Sequence, residues 1–320
     1  MMAANEPLFS VIVPTRNRPV QLARCLHAFT ELDYPRQRFE VIVVDDGSSR
    51  PMGGVVAPFR KPLALTLLRQ PNAGPGIARN TGAHRARGTF LAFIDDDCMP
   101  ASTWLRALEA QFAVSPHALV GGRTFNALAD NPYAATSQLI VDIVYAYYNA
   151  HAARARFVAS NNLAVPADGF HAVGGFNPAW SAPASEDRDF CDRWLHRGRD
   201  IILAPAVVVY HAHALTFAGF CRQHFNYGRG AFRFHQERAR RRSGRFRVEA
   251  GFYRRLIRID PASAQPGTKL PPVRQAALLA VWQIANASGF LYEAASGTAH
   301  RMFMRTGSAA RYPLETGDSP

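Results

Sequence analysis

Apolar runs of strand length alternate with helical patterns through the first 125 residues. FSVIVPT (9–15) is short and almost wholly apolar, and the stretch after it carries Leu22, Leu26 and Phe29 at helical spacing. EVIVVDDGS (40–48) repeats the strand signal, LALTLLRQ (63–70) gives a third strand, and a helix follows over roughly 75–87. TFLAFIDDDC (89–98) predicts a fourth strand, with Ser102 or Thr103 placed to cap the next helix, and HALVGGRTF (117–125) a fifth. Runs apolar on both faces and separated by helices predict an α/β fold, a mostly parallel sheet covered on both sides. Farther on, QLIVDIVYAYYN (138–149) has helical character, FVASNNLAVP (157–166) returns to strand, and IILAPAVVVYHAH (201–213) predicts a late strand or strand pair. From about 216 the chain turns arginine-rich and aromatic, then Pro/Gly-punctuated, then apolar at 276–292. These shifts predict an α/β domain over 1–215 and a basic, largely helical extension over 216–320.

Composition changes this picture in two places. Apolar residues make up 48% of the 320, enough for a full core, so wholesale disorder is excluded. The net charge of +13 is concentrated: residues 222–258 hold twelve arginines against Glu237 and Glu249, a local excess of ten positive charges. The four cysteines form no CxxC pair, so a zinc site or disulfide framework is not expected and a reducing cytosol suits them. No basic-then-apolar leader with a small-residue cleavage site opens the sequence, and the expectation is a cytoplasmic protein.

Polar residues gather where strands end, which is where open parallel sheets bind ligands. Those ends carry Pro14, Thr15, Arg16 and Asn17, then Asp45 and Asp46, then Asp95, Asp96 and Asp97. Three adjacent carboxylates repel, and in an extended segment Asp95 and Asp97 point to one side. A divalent cation relieves that repulsion, and oxygen ligands favour Mn²⁺ or Mg²⁺ over zinc. A solvated acidic turn is the plainer alternative. Asn72 to Asn80 is not a dinucleotide fingerprint, because Arg79 stands where the third glycine of GxGxxG belongs. It reads instead as a glycine turn into a helix, with Arg79 either facing the donor or acidic cluster or lying on the surface. Ser185-Glu186-Asp187 precedes a helical pattern, where carboxylates also serve as ordinary cap and dipole partners.

FSVIVPTRNR, VIVVDDGSS, NAGPGIARNTG, FLAFIDDDC, VGGFNPAW and SEDRDFCDRW, in this order over about residues 8–230, resemble the motifs of the family 2 glycosyltransferases. The resemblance implies a GT-A fold and inverting transfer of a sugar from a UDP- or GDP-linked donor to an acceptor hydroxyl, with Mn²⁺ or Mg²⁺. By motif, it implies Thr15 and Asp46 at the base or ribose with Asp45 beside them, Arg79 near the phosphates or the acidic cluster, and Asp95 and Asp97 in the DxD positions, with Asp97 the metal contact. It also implies Asp187 as general base, Glu186 as an acceptor contact, and the turn holding Gly175 and Phe176 as a wall of the acceptor pocket.

Around these, Trp180 and the Asn161-Asn162 pair are candidates for the acceptor side, Trp180 equally for the core. His211 and His213, at i and i+2 on a strand, either complete a metal shell or serve as structural hydrogen-bonding histidines. Gln223 begins the segment where processive relatives carry QxxRW, but Asn226-Tyr227 replaces Arg-Trp, which favours adding one or a few sugars; Arg229 is a candidate partner for leaving-group phosphate. The arginines from Arg238 to Arg247 admit three readings: a solvated helix face, attraction to anionic lipid, and nucleic-acid binding, the last without any recognised module. Residues 273–294 predict an amphipathic helix packed on the catalytic domain or lying in a membrane interface, not a full span. Two other classes compete: a degenerate transferase scaffold binding anionic lipid or nucleic acid, and a nucleotidyltransferase, which leaves Glu186-Asp187 unexplained.

Overall fold

The computed structural model of the protein describes residues 7–179, 184–244 and 270–307. The predicted strands appear as β1 (Phe9–Thr15), β2 (Phe39–Asp46), β3 (Leu65–Gln70), β4 (Phe90–Phe93), β5 (Cys98–Pro100), β6 (Leu119–Asn126), β7 (Leu163–Pro166) and β8 (Ile201–His211). Every residue of β1 and β2 is buried, as their unbroken apolar runs require. Among the described residues they form one sheet in the order β3-β2-β1-β4-β7-β6-β8-β5. The β1–β2, β1–β4, β2–β3 and β6–β8 pairings are parallel, while β4–β7, β6–β7 and β5–β8 are antiparallel. The sheet is therefore mixed. Apolar runs report burial on both faces but carry no signal of strand direction.

The helices are α1 (Pro19–Thr30), α2 (Gly53–Val56), α3 (Pro75–Arg85), α4 (Trp104–Val114), α5 (Pro132–Tyr148), α6 (Ala167–Val173), α7 (Glu186–His196), α8 (Phe217–Arg241) and α9 (Pro272–Gly307). Proline at its first turn starts α1, which buries Leu22, Cys25, Leu26 and Phe29 along one stripe. Asn131 caps α5, its side chain accepting from the amides of Tyr133 and Ala134. Thr103 does stand at the N-cap of α4, but its side chain makes no capping bond.

Two large cores cover the two faces of the sheet. A third joins Leu139, Ile140 and Ile143 of α5 to Leu215, Phe220 of α8, and Leu279 and Trp282 of α9. The two C-terminal helices are thus built onto α5. Among the described residues no helix is long and apolar enough to cross a membrane.

The fourth predicted strand ends early. The chain leaves the sheet after Phe93, turns through Asp96-Asp97, and rejoins at Cys98 beside β8. A strand would have buried three carboxylates with few partners; the turn brings each to a hydrogen-bonding or charged partner, Arg18 being shared by Asp96 and Asp97.

Candidate active site

Strand ends and helix starts meet in one cleft of about 1340 Å³. Pro14, Thr15, Arg16, Asp46, Arg79, Asp95, Asp96, Asp97, Glu186, Asp187, His211 and His213 all line it, so most of the predicted site residues converge.

The aspartate turn is the centre. Asp95 accepts from Arg79 Nη2 at 2.7 Å. Asp96 accepts from the Thr15 hydroxyl at 2.7 Å and from Arg18 Nη1 at 3.1 Å. Asp97 lies 2.9 Å from Arg18 Nη1 through Oδ2 and 3.1 Å from His211 Nε2 through Oδ1. Asp95 and Asp97 therefore do not act as a pair on one side, as an extended segment would have made them. Burial, only partly offset by Arg18, raises the Asp96 carboxyl to about 6. Burial pushes Asp97 the same way, but His211, Arg18 and His213 around it hold its carboxyl well below the usual carboxylate range.

β8 carries His211 to the same place because it pairs with β5, setting His211 opposite Cys98 and next to Asp97. One ligand atom each from Asp97, His211 and His213 falls within 4.8 Å of the others. Burial opposes protonation of His211, yet the adjacent Asp97 raises its pKa; burial and then His211 lower that of His213 to about 4. One carboxylate and two imidazoles at this spacing suit a divalent transition-metal cation, Mn²⁺ among them. The histidines thus fit a metal shell, and His211 also makes the structural contact to Asp97.

Arg79 is a core residue, not a surface arginine. It is 3% exposed, bonds Asp95 and Glu186 Oε1 (3.1 Å), and lies over the Phe176 ring at 5.5 Å. Glu186 accepts through its other oxygen from the Ala184 amide, so its carboxylate is engaged in positioning Arg79. Asp187, one residue on, lines the cleft and accepts from the Arg188 amide at 2.8 Å. Burial first, and the Glu186 charge second, push its carboxyl up to about 7.

Several predicted contacts lie behind the site, while Asp46 lines it and also holds the backbone beneath. Asp45 is buried and accepts from the Ser48 amide. Asn17, at φ 56°, holds Ser49. Asp46 accepts from the amides of Ala73 and Gly74, fixing the turn into α3. Phe176 is fully buried against Phe93, Phe170 and Phe190 and does not wall the cleft. At Gly175, φ is +62° and a Cβ would stand 2.6 Å from Asn80 Oδ1; the turn serves α3. Asn162 is buried, accepting from Trp104 Nε1 and donating to the carbonyls of Arg123 and Val207, while its neighbour Asn161 reaches the cleft. Trp180 lies outside the described residues.

Arg18 is the site residue that sequence reasoning passed over. Its signal was present, a cation two residues after Arg16 facing three unneutralised carboxylates, but nothing in the pattern aims it. The C-terminal helices contribute Arg222, Gln223, Asn226, Tyr227, Trp282 and Asn286 to the cleft lining. Arg229 is held by Glu293 at 2.8 Å, away from the cleft lining. Arg233 shares Glu293, Arg238 binds Asp192, Arg240 binds Glu237, and Arg241 binds Asp189 and Asp192. Five of the six arginines of α8 thus pair with carboxylates within the molecule, while Arg222 lines the cleft; Arg245 and Arg247 lie outside the described residues.

The sequence profile of Glycosyl transferase family 2 matches residues 10–170, half of the chain. The chain belongs to glycosyl transferase family 2. Among curated family members it is 34% identical over 123 residues to glycosyltransferase AglE of Haloferax volcanii, a match covering 38% of this chain and 40% of AglE. That stretch spans less than two thirds of the relative. The fold is that of solved GT-A glycosyltransferases. The mannosyltransferase PcManGT of Pyrobaculum calidifontis, solved with GDP-Man and Mn²⁺, superposes with a TM-score of 0.58 at 21% identity, over 93% of this chain and 81% of that one. Staphylococcus aureus TarS 1–349 in complex with UDP-GlcNAc gives 0.52 at 17% identity, over 96% and 94%.

Proposed function

We propose that this family 2 chain is an inverting, metal-dependent glycosyltransferase that moves a sugar from a UDP- or GDP-linked donor to an acceptor hydroxyl. The observation that carries the reading is one cleft holding both a three-residue cation site, Asp97, His211 and His213, and a carboxylate with a raised pKa, Asp187. The donor complexes of PcManGT with GDP-Man and of TarS with UDP-GlcNAc support the donor class.

Asp97, His211 and His213 would hold Mn²⁺ or Mg²⁺, with Asp95 nearby but bound to Arg79. Such a cation neutralises charge developing on the departing nucleoside diphosphate. Pro14, Thr15, Arg16 and Asp46 line the donor end, with Asp46 holding the glycine turn on which α3 begins. Asp187 takes the acceptor proton as the acceptor oxygen forms its bond to the anomeric carbon, and the bond to the diphosphate oxygen breaks. A raised pKa suits that role, because a base is most effective when its pKa lies near the working pH. Arg79 and Glu186 fix the N-terminus of α7 relative to the aspartate turn, and so position Asp187.

Helices α8 and α9 supply the acceptor side. Gln223, Asn226 and Tyr227 of α8 offer amides and a hydroxyl to the cleft, and the Gln223 side chain donates to the Tyr227 hydroxyl at 3.1 Å. With no Arg-Trp after Gln223, we read the enzyme as non-processive. Anionic membrane attachment would draw on the arginines beyond residue 244, which lie outside the described residues. Thermal-shift measurements with UDP, GDP, dTDP and CDP test the donor reading: UDP or GDP should raise the melting temperature more with Mn²⁺ than with EDTA. No shift from any nucleotide would count against it.

A further inference from the structure

The cation site contains a charge that a metal would have to meet. Arg18 Nη1 stands 3.1 Å from Asp96 Oδ1 and 2.9 Å from Asp97 Oδ2, bridging two carboxylates whose side chains are 5% and 6% exposed. Asp97 then has both oxygens engaged, one by Arg18 and one by His211. Three adjacent acidic side chains in a protein interior require positive charge, and here a guanidinium supplies it.

We propose that Arg18 is an internal counter-ion that bridges Asp96 and Asp97 and is exchanged off Asp97 when a divalent cation binds to Asp97, His211 and His213. The proposal rests on the metal-site reading given above.

Arg79 shows what a permanent partner looks like in this cleft. Its guanidinium is 3% exposed, divided between Asp95 and Glu186 and stacked on Phe176. Arg18 differs on each count. Its side chain is 43% exposed, its guanidinium reaches the aspartates through a single nitrogen, and it enters from the rim of the cleft. Its backbone is fixed, since Pro19 begins α1 directly after it, so exchange needs only side-chain rotation. A cation on Asp97, His211 and His213 would put a second positive charge beside the guanidinium, and like charges at that range repel. The displaced side chain remains in the cleft, where a nucleoside diphosphate offers phosphate oxygens to a guanidinium. Exchange would therefore make metal binding weak without donor and stronger with it. An unfilled acidic cluster would also be stabilised between turnovers.

The test is Mn²⁺ affinity of the full chain without nucleotide, read from the free-Mn²⁺ paramagnetic resonance signal. Removing the resident charge in Arg18→Gln should tighten Mn²⁺ binding roughly tenfold, the scale of one half-exposed charge interaction. Arg18→Met, an uncharged side chain of similar length, should tighten binding by a similar factor, and carries the test if the glutamine variant does not fold. Equal or weaker binding in folded Arg18 variants overturns the exchange. Asp97→Asn, measured alongside, separates the two ideas. If wild type binds Mn²⁺ and Asp97→Asn does not, while Arg18→Gln matches wild type, only the exchange fails. If neither wild type nor Arg18→Gln binds Mn²⁺, the metal-site reading fails and the exchange with it.

Discussion

Asp187 and Glu186 are adjacent carboxylates that both line the cleft, but Glu186 is bonded to Arg79 and the Ala184 amide, which leaves Asp187 as the base in our proposal. Asp187→Asn should cost on the order of a hundred- to ten-thousand-fold in turnover while leaving donor affinity nearly unchanged. Titration calorimetry beside a turnover assay checks this, and lost donor affinity would move Asp187 into the nucleotide site. The pH profile has a defined sign. A base works deprotonated, and burial raises the Asp187 carboxyl to about 7, so the rate should climb through that value and level off above it. A profile already flat between pH 5 and 8, roughly the span around neutrality, would argue against this carboxyl. Asn162 belongs to the other kind of residue. With three hydrogen bonds to Trp104, Arg123 and Val207, Asn162→Ala should destabilise the fold by about 2–4 kcal/mol and leave acceptor KM alone in the folded fraction. Melting temperature and KM, measured together, distinguish a frame residue from an acceptor contact.

At the scale of elements, the sharpest constraint is where α8 crosses α9. A Cβ on Gly228 would lie 1.9 Å from the Asn286 carbonyl oxygen, and one on Gly289 would lie 1.9 Å from that of Phe225. Two glycines facing each other's backbones let the helices approach closely, and Arg229 and Arg233 then clasp Glu293 across the contact. Gly228→Ala should force the helices apart, costing roughly 1–3 kcal/mol and shifting the fluorescence of Trp282, which is buried at that junction. An unchanged melting curve would show that the crossing is looser than described. Sequence reasoning recovered strands such as β1 and β2 because residues apolar on both faces leave no alternative. It found the aspartates but not their turn, since the partners that shape it, Thr15, Arg18 and His211, are distant in sequence. It placed Phe176 on the acceptor side because a motif gives position along the chain, not which side of the backbone meets solvent, and the Asn161-Asn162 pair could not say which of its two amides turns outward. Nothing in single residues announced that Gly228 and Gly289 face each other.

For the whole molecule, the basic extension changes meaning once folded. Its arginines looked like a surface for anionic partners, yet several pair with carboxylates of α7, α8 and α9 and fasten the extension to the catalytic sheet. The extension completes one cleft, shared between the strand ends and the C-terminal helices. The most direct measurement is nucleoside diphosphate release by the purified chain from a panel of UDP- and GDP-linked sugars, with Mn²⁺ or with EDTA, for wild type and Asp97→Asn. The account predicts release from at least one donor with Mn²⁺, abolished by EDTA and by Asp97→Asn. Release that is equal in EDTA, or undiminished in Asp97→Asn, would contradict it.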